Sequence, residues 1–332
     1  MTYSLFATLV IYYKLGDKYM KVLLFTHKND IDGMGNAILA RLAFDDVKYE
    51  LCGTFELSEK VLGYYNDGSI YDYDKVFVTD LCLEDPVLSM IAQDERLRDK
   101  VLDFDHHKTF ACSRYTRHPF ITVEVSDDKG LCCGTSLFYN YLVNEGLIDG
   151  NNLAIKEFVE LTRQHDTWEW KNIYNNEKAR YLATLFDVVG SSGYIDLMTN
   201  KLSSMDYETF EFNEFEKLLI DNRLIQVEEK LKVYADKVVY KDILGLKAGI
   251  NFITYEYRNE LAQYFKDNAF DIDFAMMIAL DPGVVCYRSV RDNVRVRDVA
   301  EYFGGKGHDK AASNPITDEV EKKLIKILTS KN

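Results

Sequence analysis

The stretch Lys21–Gly35, KVLLFTHKNDIDGMG, decides how this chain is read. Val22 to Phe25 is a short apolar run with the length and composition of a buried β-strand. It stops at His27, Asp30, Asp32 and Gly33, and Asn36 to Phe44 then reads as a helix. An imidazole and two carboxylates therefore stand at the carboxyl end of a strand, just before a helix, where open α/β sheets place their ligands. Asp30 and Asp32 repel each other unless a positive charge lies between them. Without one, a carboxylate is pushed toward its neutral form at about 1.4 kcal/mol per pKa unit. A divalent cation removes that cost. Taken alone, the stretch fits equally well a polar turn in which Asp-Gly is ordinary loop chemistry.

Two more apolar runs end the same way. KVFVTDL (Lys75–Leu81) carries Asp80 at its end, and KVLDFDHH (Lys100–His107) ends in Asp105, His106 and His107. Between the opening stretch and the last of these runs also lie a strand candidate, YELCGTF, a helix around Ser58–Tyr65, a turn at Asp67-Gly68, and a helix from Glu84 to Arg98 with Pro86 in its first turn. In a parallel sheet the carboxyl ends of the strands share one edge, so these side chains converge. One such ending arises easily by chance; three argue against solvated strand ends.

The 332 residues suffice for two domains, and a composition of 47% hydrophobic and 28% charged residues is that of an ordinary globular protein. The net charge of −14 repels a long nucleic-acid duplex unless basic residues cluster locally. Small anionic substrates remain compatible if cations neutralise the site. Cys52, Cys82, Cys112, Cys132, Cys133 and Cys286 form no C-x-x-C pair, which predicts free, mostly buried thiols and a cytoplasmic location. Cys132 and Cys133, ahead of a helix, read as packed core. The run LFATLVIYY is too short to span a bilayer and lacks the features of a signal peptide.

ITVEVSD is a further strand candidate, and Cys133–Asn144 and Leu153–Arg163 read as helices. The second runs into His165, Asp166, Thr167, Trp168 and Trp170. From about Tyr207 to Val239 the pattern is long, charged and helical, with Phe210, Phe215, Leu218, Leu219 and Leu224 as its apolar stripe. LKAGINFI, DFAMMIAL and VVCYRS are strand-like, Asn259–Asp267 and Arg297–Phe303 are helical, and Lys310–Ser313 reads as a further helical turn. The expected fold is α/β: an extension at 1–19, a doubly wound, mainly parallel domain at 20–200, a helical linker at 201–240, and a smaller α/β domain at 241–332.

His27, Asp30, Asp32, Asp80, His106 and Asp166 together offer too many ligands for one ion with an open position. They suit two ions sharing a bridging carboxylate, with manganese favoured and magnesium as the alternative. Paired ions at about 3.5–4 Å can activate a water and clamp a phosphoryl group. No nucleophile elbow or Walker-type loop competes.

At this point H-x-x-D-x-D-G at His27–Gly33, the strand-terminal Asp80, and DHH at Asp105–His107 resemble the DHH phosphoesterase superfamily. GGKGHDKAAS (Gly304–Ser313), preceded by Arg288-Ser289, resembles the signature of the DHH-associated domain, with Lys306 and Ser313 standing where the pattern has glycines. The resemblance extends from Met20 onward and points to the nano-RNase branch. It implies that His27 and Asp30 bind a first metal, that Asp32, His106 and Asp166 bind a second, and that Asp80 bridges them. It further implies that His107 touches the scissile phosphate while Asp105 orients the histidine pair. Arg288, Ser289, Gly304, Gly305, Gly307 and His308 are implied to hold the substrate. The fourth motif leaves His165 as a competitor of Asp166. Trp168 and Trp170 read as core fillers or as stacking surfaces for a nucleobase. Arg291, Arg295 and Arg297 read as solvated strand residues.

The implied activity is hydrolysis of short oligonucleotides, dinucleotides included, to nucleoside 5′-monophosphates by a manganese-dependent phosphodiesterase. No long duplex and no membrane is an expected partner, and a homodimer is compatible with the family. The rivals are a cyclic (di)nucleotide phosphodiesterase, a 3′-phosphoadenosine 5′-phosphate phosphatase, a RecJ-type single-strand exonuclease, and a non-catalytic nucleotide-binding regulator.

Overall fold

A computed structural model describes residues 20–54, 56–108, 118–204 and 209–330. The extension expected at 1–19 and Cys112 lie outside the described residues. The chain divides into two compact units at Ile220/Asp221.

The first unit opens with β1 (Lys21–His27), α1 (Ile31–Ala43), β2 (Asp46–Cys52), α2 (Leu57–Asn66) and β3 (Lys75–Thr79). Then come α3 (Asp85–Gln93), α4 (Glu95–Arg98), β4 (Val101–Asp105) and β5 (Ile121–Val123). The five strands form one parallel sheet in the order β2-β1-β3-β4-β5. The order reverses between β1 and β3, which makes their carboxyl ends the switch point of a doubly wound sheet. β1 is an interior strand, and Val22, Leu23, Leu24 and Phe25 are fully buried, as a strand covered on both faces requires. Leu23 and Phe25 pack with Leu57 and Val61 of α2 and Val87, Leu88 and Ile91 of α3.

A short hairpin, β6 (Ser126–Asp127) and β7 (Gly130–Leu131), leads into α5 (Gly134–Asn144), α6 (Leu153–Asp166), α7 (Glu169–Asn172) and α8 (Glu177–Ser204). The aromatic rings of Phe77, Phe104, Phe138 and Tyr141 tie α5 to β3 and β4, with Phe77 and Phe138 5.0 Å apart. The helix expected over Glu84–Arg98 is broken at Asp94, which leaves the helical region at ψ 107° and caps α4 by accepting from Arg96 N. The long α8 carries no periodic apolar stripe that the sequence reading singled out.

Helix α9 (Glu214–Asp236) contains the boundary between the units. Its apolar stripe differs from the expected one. Phe215 and Leu218 are 68% and 57% exposed, whereas Val227, Leu231, Tyr234 and Ala235 pack into the second unit's core. That unit holds a mixed sheet in the order β12-β13-β11-β10-β9-β8. Its strands are β8 (Val239–Ile243), β9 (Leu246–Phe252), β10 (Phe274–Ala279), β11 (Val284–Ser289), β12 (Lys306–Gly307) and β13 (Ala311–Pro315). Its helices are α10 (Arg258–Asp267), α11 (Val296–Tyr302) and α12 (Asp318–Thr329). The helical turn expected at Lys310–Ser313 is instead strand β13. Local helix propensity in Lys-Ala-Ala yields to five residues of pairing with β11 and to the Tyr287 hydroxyl donating to Asn314 Oδ1 at 2.6 Å.

No helix among the described residues is long and apolar enough to cross a membrane. Truncating the fully buried Phe138 to alanine is expected to destabilise the first unit by about 3–5 kcal/mol, read from urea unfolding. A loss under about 1 kcal/mol would mean the aromatic cluster does not anchor α5.

Candidate metal centre

The registers of the parallel sheet align its carboxyl edge. Thr26 pairs with Thr79, and Thr79 with Phe104, so the next residues, His27, Asp80 and Asp105, form a row. Asp80 has φ 55°, a left-handed conformation that costs ordinary L-residues roughly 1–2 kcal/mol and that aspartate tolerates better than most. Its N–H donates to Phe104 O at 2.9 Å, which fixes it there. The carboxylate is 3% exposed. Its Oδ1 lies 3.2 Å from His106 Nε2; its Oδ2 lies 3.7 Å from His27 Nδ1 and has no hydrogen-bond partner among the described residues.

Each side of Asp80 is built by a different device. On one side, His27 Nδ1 is 2.6 Å from Asp30 Oδ2, and Asp30 caps α1 by accepting from Gly33 N at 3.0 Å. Gly33 is obligatory, since a Cβ there would stand 1.9 Å from the His27 carbonyl oxygen. On the other side, Asp32 is fully buried, and Gly134 N and Thr135 N donate to its two oxygens at 2.7 Å each. Its charge thus rests on the N-terminus of α5, where unpaired N–H groups and the helix dipole favour an anion. A Cβ on Gly134 would lie 2.7 Å from Asp80 Cβ and 3.1 Å from Asp32 Oδ2, so only glycine lets this helix approach.

His106 Nε2 completes the second side, 3.7 Å from Asp32 Oδ2 and 3.6 Å from Asp166 Oδ2 at the end of α6. Asp105 Oδ1 accepts from His106 N at 2.9 Å and lies 2.7 Å from His107 Nδ1. It therefore holds the His107 ring and the His106 backbone. The His107 side chain is half exposed. His165 turns elsewhere: its ring stacks on Trp170 at 6.4 Å, and burial lowers its pKa to about 4. Of the two neighbours at the fourth motif, Asp166 joins the cluster.

Burial and the negative charges of Asp32, Asp30, Asp166 and Asp105 push the Asp80 pKa far up, and burial with Asp32 and Asp30 does the same to Asp166. Burial lowers the pKa of His106. At His27 and His107 burial opposes the charged form, but the hydrogen bonds and charges of Asp30 and Asp105 outweigh it and raise both. At Asp30 the same balance favours the anion through His27. The cluster thus holds more negative charge than its imidazoles can neutralise, and the buried Asp80 Oδ2 has no donor among the described residues. Divalent cations suit such a cluster. The ligating atoms of His27, Asp30 and Asp80 lie within 4.8 Å of one another, as do those of Asp32, His106 and Asp166. No cysteine belongs to either group, which suits hard ions better than soft ones.

The second unit holds the remaining candidates. Arg288 Nε donates to Asn259 Oδ1 and its Nη1 to Tyr287 O, both at 3.0 Å; burial and the nearby Arg258 lower its pKa. Ser289 Oγ donates to Arg291 O. The amides of Gly304, Gly305 and His308 donate to Glu301 O, Ala300 O and Ala311 O. These three N–H groups are taken up by backbone acceptors within the second unit. Gly307 sits in β12 against Ala312, and the His308 side chain is exposed.

The sequence reading missed Gly134 and Thr135. Their signal was Cys133-Gly-Thr-Ser136 opening an apolar helix: Cys133 and Ser136 form a reciprocal N-terminal cap. Cys133 is buried, and none of the described cysteines is in a disulfide.

No family model matches the chain. Oligoribonuclease NrnB of Bacillus subtilis (strain 168) is 32% identical over 300 residues, covering 90% of this chain and 73% of that protein. Among solved structures, the pGpG-specific phosphodiesterase PggH from Vibrio cholerae aligns with TM-score 0.54 at 13% identity, covering 92% of this chain and 96% of that one. Exonuclease RecJ bound to manganese aligns with TM-score 0.52 at 14% identity, covering 97% and 94%. RecJ in complex with Mg2+ from Thermus thermophilus gives 0.51 at 12% identity, covering 97% of this chain and 52% of that one. At these identities the structural likeness is one of fold.

Gly134→Ala is expected to weaken manganese binding by about 10–100-fold, the usual effect of disturbing what holds a metal ligand. Titration calorimetry measures it, with circular dichroism checking the fold. Unchanged affinity would mean that Asp32 does not depend on the approach of α5.

Proposed function

The chain belongs to the DHH phosphoesterase superfamily, with oligoribonuclease NrnB among its relatives, and on that premise we propose that it is a two-metal phosphodiesterase hydrolysing very short oligonucleotides, dinucleotides included, to nucleoside 5′-monophosphates. The observation that carries this reading is Asp80, a buried carboxylate with one oxygen toward His27 and the other toward His106. His27 and Asp30 would hold one ion, Asp32, His106 and Asp166 the other, with Asp80 placed to serve both. Two divalent ions, manganese by preference, supply charge neutralisation at the phosphodiester and a water made nucleophilic near neutral pH.

The protein's own groups do the rest. Asp105 holds His107 through Nδ1, which orients Nε2 to meet a phosphate oxygen or to pass a proton to the departing sugar oxygen. The raised pKa of His107 favours the donor form. Arg288, Ser289, Gly307 and His308 are assigned to substrate binding, with guanidinium suited to phosphate. The charge of −14 favours small substrates over long strands.

Purified protein with manganese is expected to turn over labelled dinucleotides to 5′-monophosphates and to lose that activity on chelation. Activity confined to long strands would overturn the substrate assignment. Asp80→Asn is expected to reduce turnover by more than about a hundredfold, as loss of a strong electrostatic contact does. Because Asp80 ionises less readily in the fold than in the unfolded chain, it costs the metal-free fold stability at neutral pH. The same variant should therefore melt higher than wild type in chelator, read by thermal denaturation. Near-normal turnover would show that Asp80 is not the shared ligand.

A further inference from the structure

The chain has two tryptophans, and one is held where the core has no use for it. Trp168 follows Asp166 by two residues and adopts φ 61°, ψ 8°. That is a genuine outlier for so bulky a residue, and such strain persists only where the surroundings impose it. Here they do. Trp168 N donates to His165 O at 3.1 Å, and its carbonyl accepts from Lys171 N and Asn172 N. The next residue, Glu169, is 6% exposed and accepts from Arg163 Nη1 at 2.5 Å and from Leu131 N at 3.2 Å. The same Arg163 nitrogen donates to Leu131 O at 2.8 Å, and the other side of the guanidinium grips Glu160. A buried arginine with two carboxylates thus locks the turn.

What the lock presents is an indole 37% exposed, its ring 6.1 Å from that of the buried Trp170. Leu131, Ile173 and Tyr174, around the same ion pair, are 42%, 64% and 44% exposed. A tryptophan serving the core would be covered and would relax into an ordinary conformation. We propose that Trp168 is a nucleobase platform: its indole stacks on a base of the bound nucleotide, and the Arg163–Glu169 pair positions it. This rests on the phosphodiesterase reading, since a phosphodiester at the metals carries a base one sugar away. Stacking accepts any base, which suits a substrate recognised by length more than by sequence.

The two tryptophans make the test direct. In Trp170→Phe, Trp168 is the sole tryptophan emitter, and manganese-loaded full-length protein is titrated with adenosine 5′-monophosphate and with ribose 5-phosphate. Quenching by the first and not the second is expected. No quenching, or equal quenching by both, overturns the proposal. In parallel, Trp168→Ala is expected to raise KM for dinucleotides about tenfold, or about 1.4 kcal/mol, with kcat changed much less, and Trp168→Phe to recover most of it. Trp168→Gly, which relieves the left-handed strain, should keep or raise Tm while raising KM. A fall in Tm with KM unchanged would make Trp168 a packing residue and overturn the proposal. If wild-type protein quenches base-specifically yet cleaves no dinucleotide, the platform stands and the catalytic reading fails.

Discussion

Like charges forced together at one sheet edge are the constraint around which the first unit is arranged. Asp32 and Asp80 are buried and Asp30 and Asp166 partly so, which limits how well water can screen them. A fold relying on its own contacts would let these side chains spread. This one holds them through devices that share no single element: strand register for His27 and Asp80, an N-cap for Asp30, a helix N-terminus for Asp32, and a helix C-terminus for Asp166. Each device uses backbone geometry, which side-chain repulsion cannot easily undo.

The contribution of α5 illustrates how packing becomes electrostatics. The rings of Phe77, Phe104 and Phe138 bring the helix down on the sheet, and the missing side chain of Gly134 lets its first turn reach Asp32. The anion there is met by two N–H groups that the helix leaves unpaired in any case. Hydrophobic burial far from the chemistry therefore supports the least accessible ligand of the cluster. The backbone at Asp80 and Trp168 belongs to the same pattern, in which left-handed conformations are held by the surrounding fold.

Much of this was legible in the residues. Three apolar runs ending in acids and imidazoles predicted a parallel sheet with a loaded edge, and the register aligns that edge. Helix α10 was legible to within one residue, whereas α1 begins at Ile31, five residues before the expected Asn36, because Asp30 caps it and brings Asp32 into its first turn. Short segments were not: Lys310–Ser313 has helical residues but lies in a sheet, because pairing with β11 outweighs local preference. The stripe on α9 was misread because several of its large apolar residues face solvent.

The sequence by itself determined which residue types gather at the sheet's carboxyl edge and the order in which strands deliver them, because those follow from period and strand endings. The tertiary structure alone decided that Asp166 and not His165 joins the cluster, that Gly134 and Thr135 hold Asp32, and that most of the amides of the Gly304–His308 loop are taken up within the fold. These outcomes depend on how closely elements distant in the chain approach one another, and no local pattern of residues encodes such a distance.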